Sequence, residues 1–229
     1  MDDDPVKRKL IAAKERWARE GRLLTGRKDP ERSRRLPPGQ RETKDWPVLD
    51  LGITPRVHKD DWQFSVGGAV EQPLRWSWSD FMAQPQVTVR CDMHCVTAWS
   101  RYDNDFTGVP FLHLLDLVRP RDGARFVMLR SFDDYTTNVP LADLADEDVL
   151  LAHAWQGKPL DLEHGGPMRL LLPKLYLWKS AKWLRHITFM DKDAPGYWEQ
   201  RGYHMRGDPW GEERYGRPDP ARMRRGPRR

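Results

Sequence analysis

The sequence predicts an α+β fold: a mostly β, mixed-sheet body with short helices. Three observations carry this expectation. Apolar residues recur in short runs, alternating or wholly apolar, that end at Gly, Pro, Asn or Asp. Beyond the first 45 residues, helical spacing is confined to stretches of about two turns at most. No repeat with a period of roughly 20–50 residues is visible, which excludes solenoids and propellers.

Each element follows from local pattern. Asp4-Pro5 offers an N-cap and a first-turn proline, and Leu10, Ile11, Lys14, Trp17 and Ala18 follow helical spacing, so a helix is expected over 5–20. Residues 26–40 are rich in Arg, Pro and Gly and read as an extended linker. Residues 62–66 alternate and run into Gly67-Gly68, a strand and its turn. A short helix is expected at 79–83. Residues 87–91 alternate again, with Val87, Val89 and Cys91 on one face. Residues 111–118 have helical spacing and stop before Pro120. Strands are expected at 125–131, 149–155, 168–172 and 183–190, a turn at 156–159, and a short helix at 141–146.

Charge divides the chain of 229 residues. Residues 1–45 carry a net of +5 and residues 201–229 another +5, whereas 46–200 carry −5. The basic balance thus belongs to the ends, and a domain-wide nucleic-acid surface is not expected. The expected organisation is a basic arm and linker (1–45), a body (46–215) and an Arg-rich tail (216–229). A competing reading makes the chain a non-enzymatic binding protein whose basic arms hold nucleic acid or an acidic partner. No apolar run reaches the roughly 18 residues of a membrane span, and the first 20 residues lack a signal-type apolar core, so a cytoplasmic protein is expected. Eleven tryptophans offset the low aliphatic content, since each buries a large area.

Chemistry-bearing residues fall in three places. Cys91 and Cys95 flank Asp-Met-His, a spacing that fits neither a zinc pair with its partner pair nor a C-x-x-C redox motif. Two readings remain: buried thiols acting as small hydrophobes, or one thiolate on a soft or borderline metal whose other ligands come from a cofactor. His164-Gly-Gly-Pro-Met-Arg169 places a potential donor on each side of a turn, and an arginine fork suits phosphate. In Lys179-Ser-Ala-Lys182, two lysines sit among large apolar groups. Ser180 and nearby backbone N–H groups suit an anion, although snorkelling lysines on a strand would look the same.

The stretches HCVTAWSRYDNDFTGVPF (94–111), ARFVMLRSFDDYTTNVPL (124–141), HGGPMRLLLP (164–173), LYLWKSAKWL (175–184) and GYWEQRGYHMRGDPW (196–210), in that order, give the sequence a family likeness. It resembles the sulfite oxidase-like molybdopterin oxidoreductases, and most of all their small single-domain bacterial branch, similar to the methionine-sulfoxide reductase catalytic subunit. The resemblance spans about 46–215. It implies a mixed-sheet fold around molybdenum and molybdopterin, with Cys95 as metal ligand beside the pterin's two sulfurs. Cys91 falls outside the ligand position. Ser131, His164, Arg169, Ser180, Ala181 and Lys182 fall where the family contacts the cofactor, and residues 48–54 are expected to add contacts.

What the resemblance implies for activity is oxygen-atom transfer to or from a small sulfur- or nitrogen-containing substrate. Sulfite oxidases carry arginines soon after the cysteine. Here the stretch is Val-Thr-Ala-Trp-Ser, nearer to the reductase branch, so a reductase of sulfoxides or N-oxides is the alternative within the class. Trp99, Arg101, Tyr102 and Tyr135 are the candidates for the substrate pocket, Arg101 and Tyr135 with Cys95 as catalytic residues. No haem or flavin region is present in the sequence, so a separate electron-transfer partner is expected, and a monomer.

Overall fold

The computed structural model describes residues 34–216; the helix expected over 5–20 and the tail beyond 216 lie outside them. In chain order the elements are β1 (Arg41–Glu42), β2 (Gln63–Gly68), β3 (Leu74–Ser77), α1 (Trp78–Met82), β4 (Val87–Cys95), β5 (Trp99–Pro110), α2 (Phe111–Val118) and β6 (Phe126–Ser131). There follow β7 (Thr136–Pro140), α3 (Leu141–Leu144), β8 (Leu150–Trp155), β9 (Lys158–Pro159), β10 (Arg169–Leu171) and β11 (Leu184–Met190). This is the α+β, mostly mixed-sheet architecture that the pattern of short runs predicts.

Two sheets form. One has the order β3-β2-β11-β6-β7, with β2 and β11 parallel and every other pair antiparallel. The other is built on β5, which pairs with β4 along its length and with β1 and β8 at its two ends; β8 then pairs with β9 and β10. The alternation that predicts β2 is real packing: Phe64 and Val66 point into the main core, where Trp62 stands at the strand's entry. In α2, Phe111, Leu114 and Val118 are buried at helical spacing, and Arg119 ends the helix in the left-handed region with its N–H on the Leu115 carbonyl. Ser77 opens α1 with a capping box to Asp80.

The structure departs from the sequence reading in three ways. The longest strand, β5, was not anticipated, nor were β3 and β7. Asp103-Asn104-Asp105 in its middle reads as a turn, and Asp103 does adopt a positive φ of 56°. Pairing on both edges overrides that local preference. Strand β4 runs on past Cys91 to Cys95, with a bulge between Cys91 and Met93. The third departure concerns the boundary expected at 45. Gln40 is buried and β1 belongs to the sheet, so the chain joins the body before that point. Arg35 reaches the same sheet through Asp92 and Asp103 at 2.6 and 2.8 Å.

Lys179 decides how the C-terminal segment lies. It sits in a short 3-10 turn, Leu177–Lys179, and is fully buried. Its ammonium donates to Glu199 Oε1 at 2.6 Å, the Asn138 side chain at 2.9 Å, and the carbonyls of Asn138 and Met205 at 2.8 and 2.7 Å. Glu199 also accepts from Thr137 and from the Trp178 indole. The anion-binding and snorkelling readings of Lys179 both give way to this internal ion pair. Replacing Lys179 by Met strands Glu199 as an uncompensated buried charge. It is expected to cost about 3–5 kcal/mol, read as a lowered urea midpoint.

Candidate active site

The site starts at the turn between β4 and β5. Cys95 pairs with Trp99 across it, so three residues close the hairpin, and Ala98 takes the positive φ of 68° that such a loop requires. The Ala98 N–H returns to the Cys95 carbonyl at 3.1 Å. This geometry places Cys95 on the lining of a cavity of about 340 Å³. Burial pushes the Cys95 thiol above its ordinary value; the Thr97 hydroxyl, 3.2 Å from Sγ, and the charge of Arg214 act against that. Cys91 lies elsewhere, packed beside the smaller core cluster with its thiol pushed up to about 12 by burial. Both cysteines are free.

One wall comes from the loop before β10 and the loop before β11. His164, Arg169, Ser180, Ala181 and Lys182 all line the cavity, as does Tyr135. The Arg169 guanidinium is buried and donates to the carbonyls of His164 and Ser180 at 2.8 Å each. Among the described residues no carboxylate forms an ion pair with it, and burial pulls it down to about 10. Lys182 donates to the Glu163 carbonyl at 2.8 Å and lies over the Trp183 ring at 4.4 Å. Burial first, then the neighbouring Arg169, lower it to about 8. His164 donates through Nε2 to the Trp46 carbonyl at 3.1 Å and stacks on the Trp46 ring at 4.0 Å. Burial lowers its value too, so the ring is neutral near pH 7. Gly165 is the hinge of this wall. Its φ is +105°, and a Cβ there would come within 3.0 and 3.1 Å of the Lys182 and Arg169 Cβ atoms.

Other candidates fall differently. Ser131 does not line the cavity. It lies behind Tyr135 and Trp183, with its N–H on the Tyr135 carbonyl at 2.9 Å and its buried hydroxyl without a hydrogen-bond partner among the described residues. Arg101 also stays outside. Its guanidinium covers the Trp155 ring at 4.7 Å and is spent on the Lys44 carbonyl and Asn104, so the expected substrate-facing arginine points away. Tyr102 stacks under Arg35 and lies outside the cavity, whereas Trp99 lines it. Tyr135 donates its hydroxyl to the Trp178 carbonyl at 2.6 Å. Burial, then Glu199, hold that phenol well above its ordinary value, so it stays protonated. Val48, Leu49, Asp50 and Leu51, within the expected stretch 48–54, line the mouth.

Trp46, Trp178, Trp198 and Tyr203 line the cavity too and were not singled out in the sequence. Trp46 carried one usable signal, an isolated large aromatic in a polar, Pro-bearing stretch. Trp198 and Tyr203, beyond Gly196, read as aromatics anchoring the tail, and Trp178 as one of the large apolar groups around the two lysines.

These residues fit a phosphate-bearing, sulfur-donating cofactor. Among the described residues, neither the buried Arg169 nor the half-buried Lys182 beside it forms an ion pair with a carboxylate, so that wall suits an anion. A free thiol shares the cavity with them. The Trp99 indole N–H on the lining and the Ser131 hydroxyl are buried donors without a hydrogen-bond partner among the described residues. Residues 51–198 match the family model of the oxidoreductase molybdopterin binding domain.

The chain belongs to that family.

It is therefore a molybdopterin-binding oxidoreductase domain, using molybdenum. It is 44% identical over 187 residues to the uncharacterized oxidoreductase YuiH of Bacillus subtilis (strain 168), covering 81% of this chain and 94% of that one. It is 29% identical over 153 residues to the protein-methionine-sulfoxide reductase catalytic subunit MsrP of Ralstonia nicotianae, covering 60% of this chain and 46% of that one. The chain thus spans about half the length of that reductase. The sulfane dehydrogenase SoxCD from Paracoccus pantotrophus superposes with a TM-score of 0.57 at 21% identity, over 65% of this chain and 42% of that one, a likeness of fold. No helix among the described residues is long and apolar enough to cross a membrane.

The Lys182 shift has a definite sign. The unfolded chain holds the lysine proton up to about 10.5, while the folded, cofactor-free chain releases it near 8. Below pH 8 the charged lysine therefore costs stability, and that cost disappears as pH rises toward 10.5. Cofactor-free Lys182→Met is expected to melt above wild type at pH 7, with the gap closing by pH 10, as read by calorimetry.

Proposed function

We propose that Cys95 ligates molybdenum beside the pterin sulfurs, and that the domain catalyses oxygen-atom transfer to or from a small, neutral sulfur- or nitrogen-containing substrate. One observation carries the reading: the buried Arg169 and the half-buried Lys182, neither ion-paired to a carboxylate among the described residues, line the same cavity as the Cys95 thiol. When bound, the cofactor supplies a metal that exchanges two electrons and one oxygen atom with the substrate. The protein's part is to hold and orient it. Arg169 would offer its guanidinium to the pterin phosphate, Lys182 would add a point charge, and His164 would complete the same wall, its ring fixed against Trp46. The Ser180-Ala181 backbone closes the same wall. Ser131 stands ready as a second-layer donor behind it.

Charge favours a neutral substrate over sulfite. Once His164, Arg169 and Lys182 serve the phosphate, the rest of the lining carries no cation and two carboxylates, Asp50 and Asp133. An anion entering there meets repulsion rather than a counter-charge. Trp46, Leu49, Leu51 and Trp198 line the remaining space and exclude water from a neutral oxide. The likeness to a methionine-sulfoxide reductase catalytic subunit points the same way and supports a separate electron donor. A reductase of S- or N-oxides is the favoured direction.

Three measurements test this. Wild type prepared with its cofactor is expected to carry near-stoichiometric molybdenum, while Cys95→Ser loses turnover and changes the molybdenum(V) spectrum. An unchanged spectrum in Cys95→Ser removes the ligand assignment. Arg169→Gln gives up charge-assisted contacts worth about 1.5–3 kcal/mol, so cofactor retention is expected to weaken by about 10- to 100-fold under dialysis. With reduced viologen as donor, neutral sulfoxides and N-oxides are expected to be turned over. Turnover confined to sulfite oxidation would reverse the substrate assignment.

A further inference from the structure

The Cys95 turn is held from outside the region that defines the family. Its carbonyls receive donors from both ends of the chain. Gln40 Nε2 donates to the Cys95 carbonyl at 3.0 Å, and the Arg41 N–H donates to the Ala98 carbonyl at 3.0 Å. The Arg214 guanidinium donates to the Val96 carbonyl. Gln40 and Arg214 both lie outside residues 51–198.

Neither contact is loose. Gln40 is 5% exposed, and its own oxygen accepts from Ser100, whose hydroxyl is 2.8 Å from His94 Nδ1. Arg214 lies over the Tyr176 ring at 5.1 Å and reaches the Pro38 carbonyl at 3.5 Å, so it also ties the two ends together. The segment that carries it is fixed in turn. Tyr203 and Tyr215 form a bridge, the Tyr176 N–H donates to the Gly207 carbonyl at 2.9 Å, and Arg206 pairs with Asp143 at 2.8 Å.

We propose that Gln40 and Arg214 are positioning residues for Cys95, and that the Arg214 cation, one peptide away, sets the reduction potential of the metal held there. The inference rests on Cys95 being the molybdenum ligand. A fixed positive charge beside a metal–thiolate unit stabilises the electron-rich, reduced state and raises the potential. Arg214 does not line the cavity, so it acts through the turn and the field and not on the substrate. Gln40 is neutral, so its share is geometric: it fixes the carbonyl on the ligand residue and with it the direction of Sγ.

The test uses full-length protein loaded with cofactor and compares wild type, Arg214→Gln, Arg214→Lys and Gln40→Leu. Metal content, the molybdenum(V) spectrum and the molybdenum midpoint potential are read by metal mass spectrometry, EPR and redox titration. Arg214→Gln is expected to lower the potential. Arg214→Lys, which keeps the charge, is expected to restore most of it. Gln40→Leu is expected to alter the spectrum with a smaller change in potential. Arg201→Gln, which removes an exposed charge from the same segment, is the control and should shift neither.

A wild-type potential in Arg214→Gln overturns the proposal, and so does an equal drop in both Arg214 variants, which would make the contact a mere prop. If Arg214→Gln fails to load metal, the cofactor-free melt decides. An unchanged melt, with loading restored by Arg214→Lys, supports the charge role, and a collapsed melt in both variants overturns it. Cys95→Ser separates the two levels. A spectrum that responds to Cys95→Ser and ignores Arg214→Gln sinks only this inference. One that ignores Cys95→Ser sinks the ligand reading beneath it.

Discussion

The pairing of Lys179 with Glu199 inside the protein is the constraint on which the cavity depends. Two opposite charges, both with fully buried side chains, are held there because donors and acceptors from several segments converge on the Lys179 ammonium and on Glu199 Oε1. The lysine engages Asn138 of β7 and the Met205 carbonyl; the glutamate engages Thr137 and the Trp178 indole. The pair therefore locks the loop before β11, strand β7 and the C-terminal segment into one arrangement. That arrangement brings Trp178, Trp198 and Tyr203 onto the cavity.

Pairing also separates cations that look alike in the sequence. Lys179 and Lys182 are three residues apart in the same motif. The first is satisfied internally and is structural. The second, with Arg169, leans on backbone carbonyls and an aromatic face without a carboxylate. The buried Arg169, satisfied only by carbonyl dipoles and ring faces, keeps an uncompensated charge that an anionic ligand would compensate. The free chain thus gives up stability in that wall, and ligand binding recovers it.

The two ends of the chain prove to be part of the same design. Charge counting marks them as basic appendages. In the fold, residues from 35 onward and those up to 216 pack onto the β4–β5 hairpin, where Arg35 holds Asp92 and Asp103 and Arg214 holds the Cys95 turn. Within the described residues, Arg35, Arg206 and Arg214 are thereby committed to particular carboxylates and carbonyls.

What the sequence determined by itself was local. Period-two and period-3.6 patterns placed β2, α1, α2, β6, β8 and β11 close to where they stand, because each buries one face and the burial pattern is written in residue order. The ordered motifs also marked Cys95, His164, Arg169 and Lys182, whose side-chain chemistry is explicit. The tertiary structure decided everything that depends on partners distant in sequence. Strand β5 forms through its pairing with β4 and β8 despite turn-forming residues at its centre. Arg101 turns away because Trp155 and the Lys44 carbonyl hold it, Lys179 is structural because Glu199 lies 2.6 Å away, and Arg214 belongs to the Cys95 turn because the C-terminal segment folds back across it. A hydrogen bond or an ion pair is a property of two groups in space, and one-dimensional pattern carries only one of them at a time.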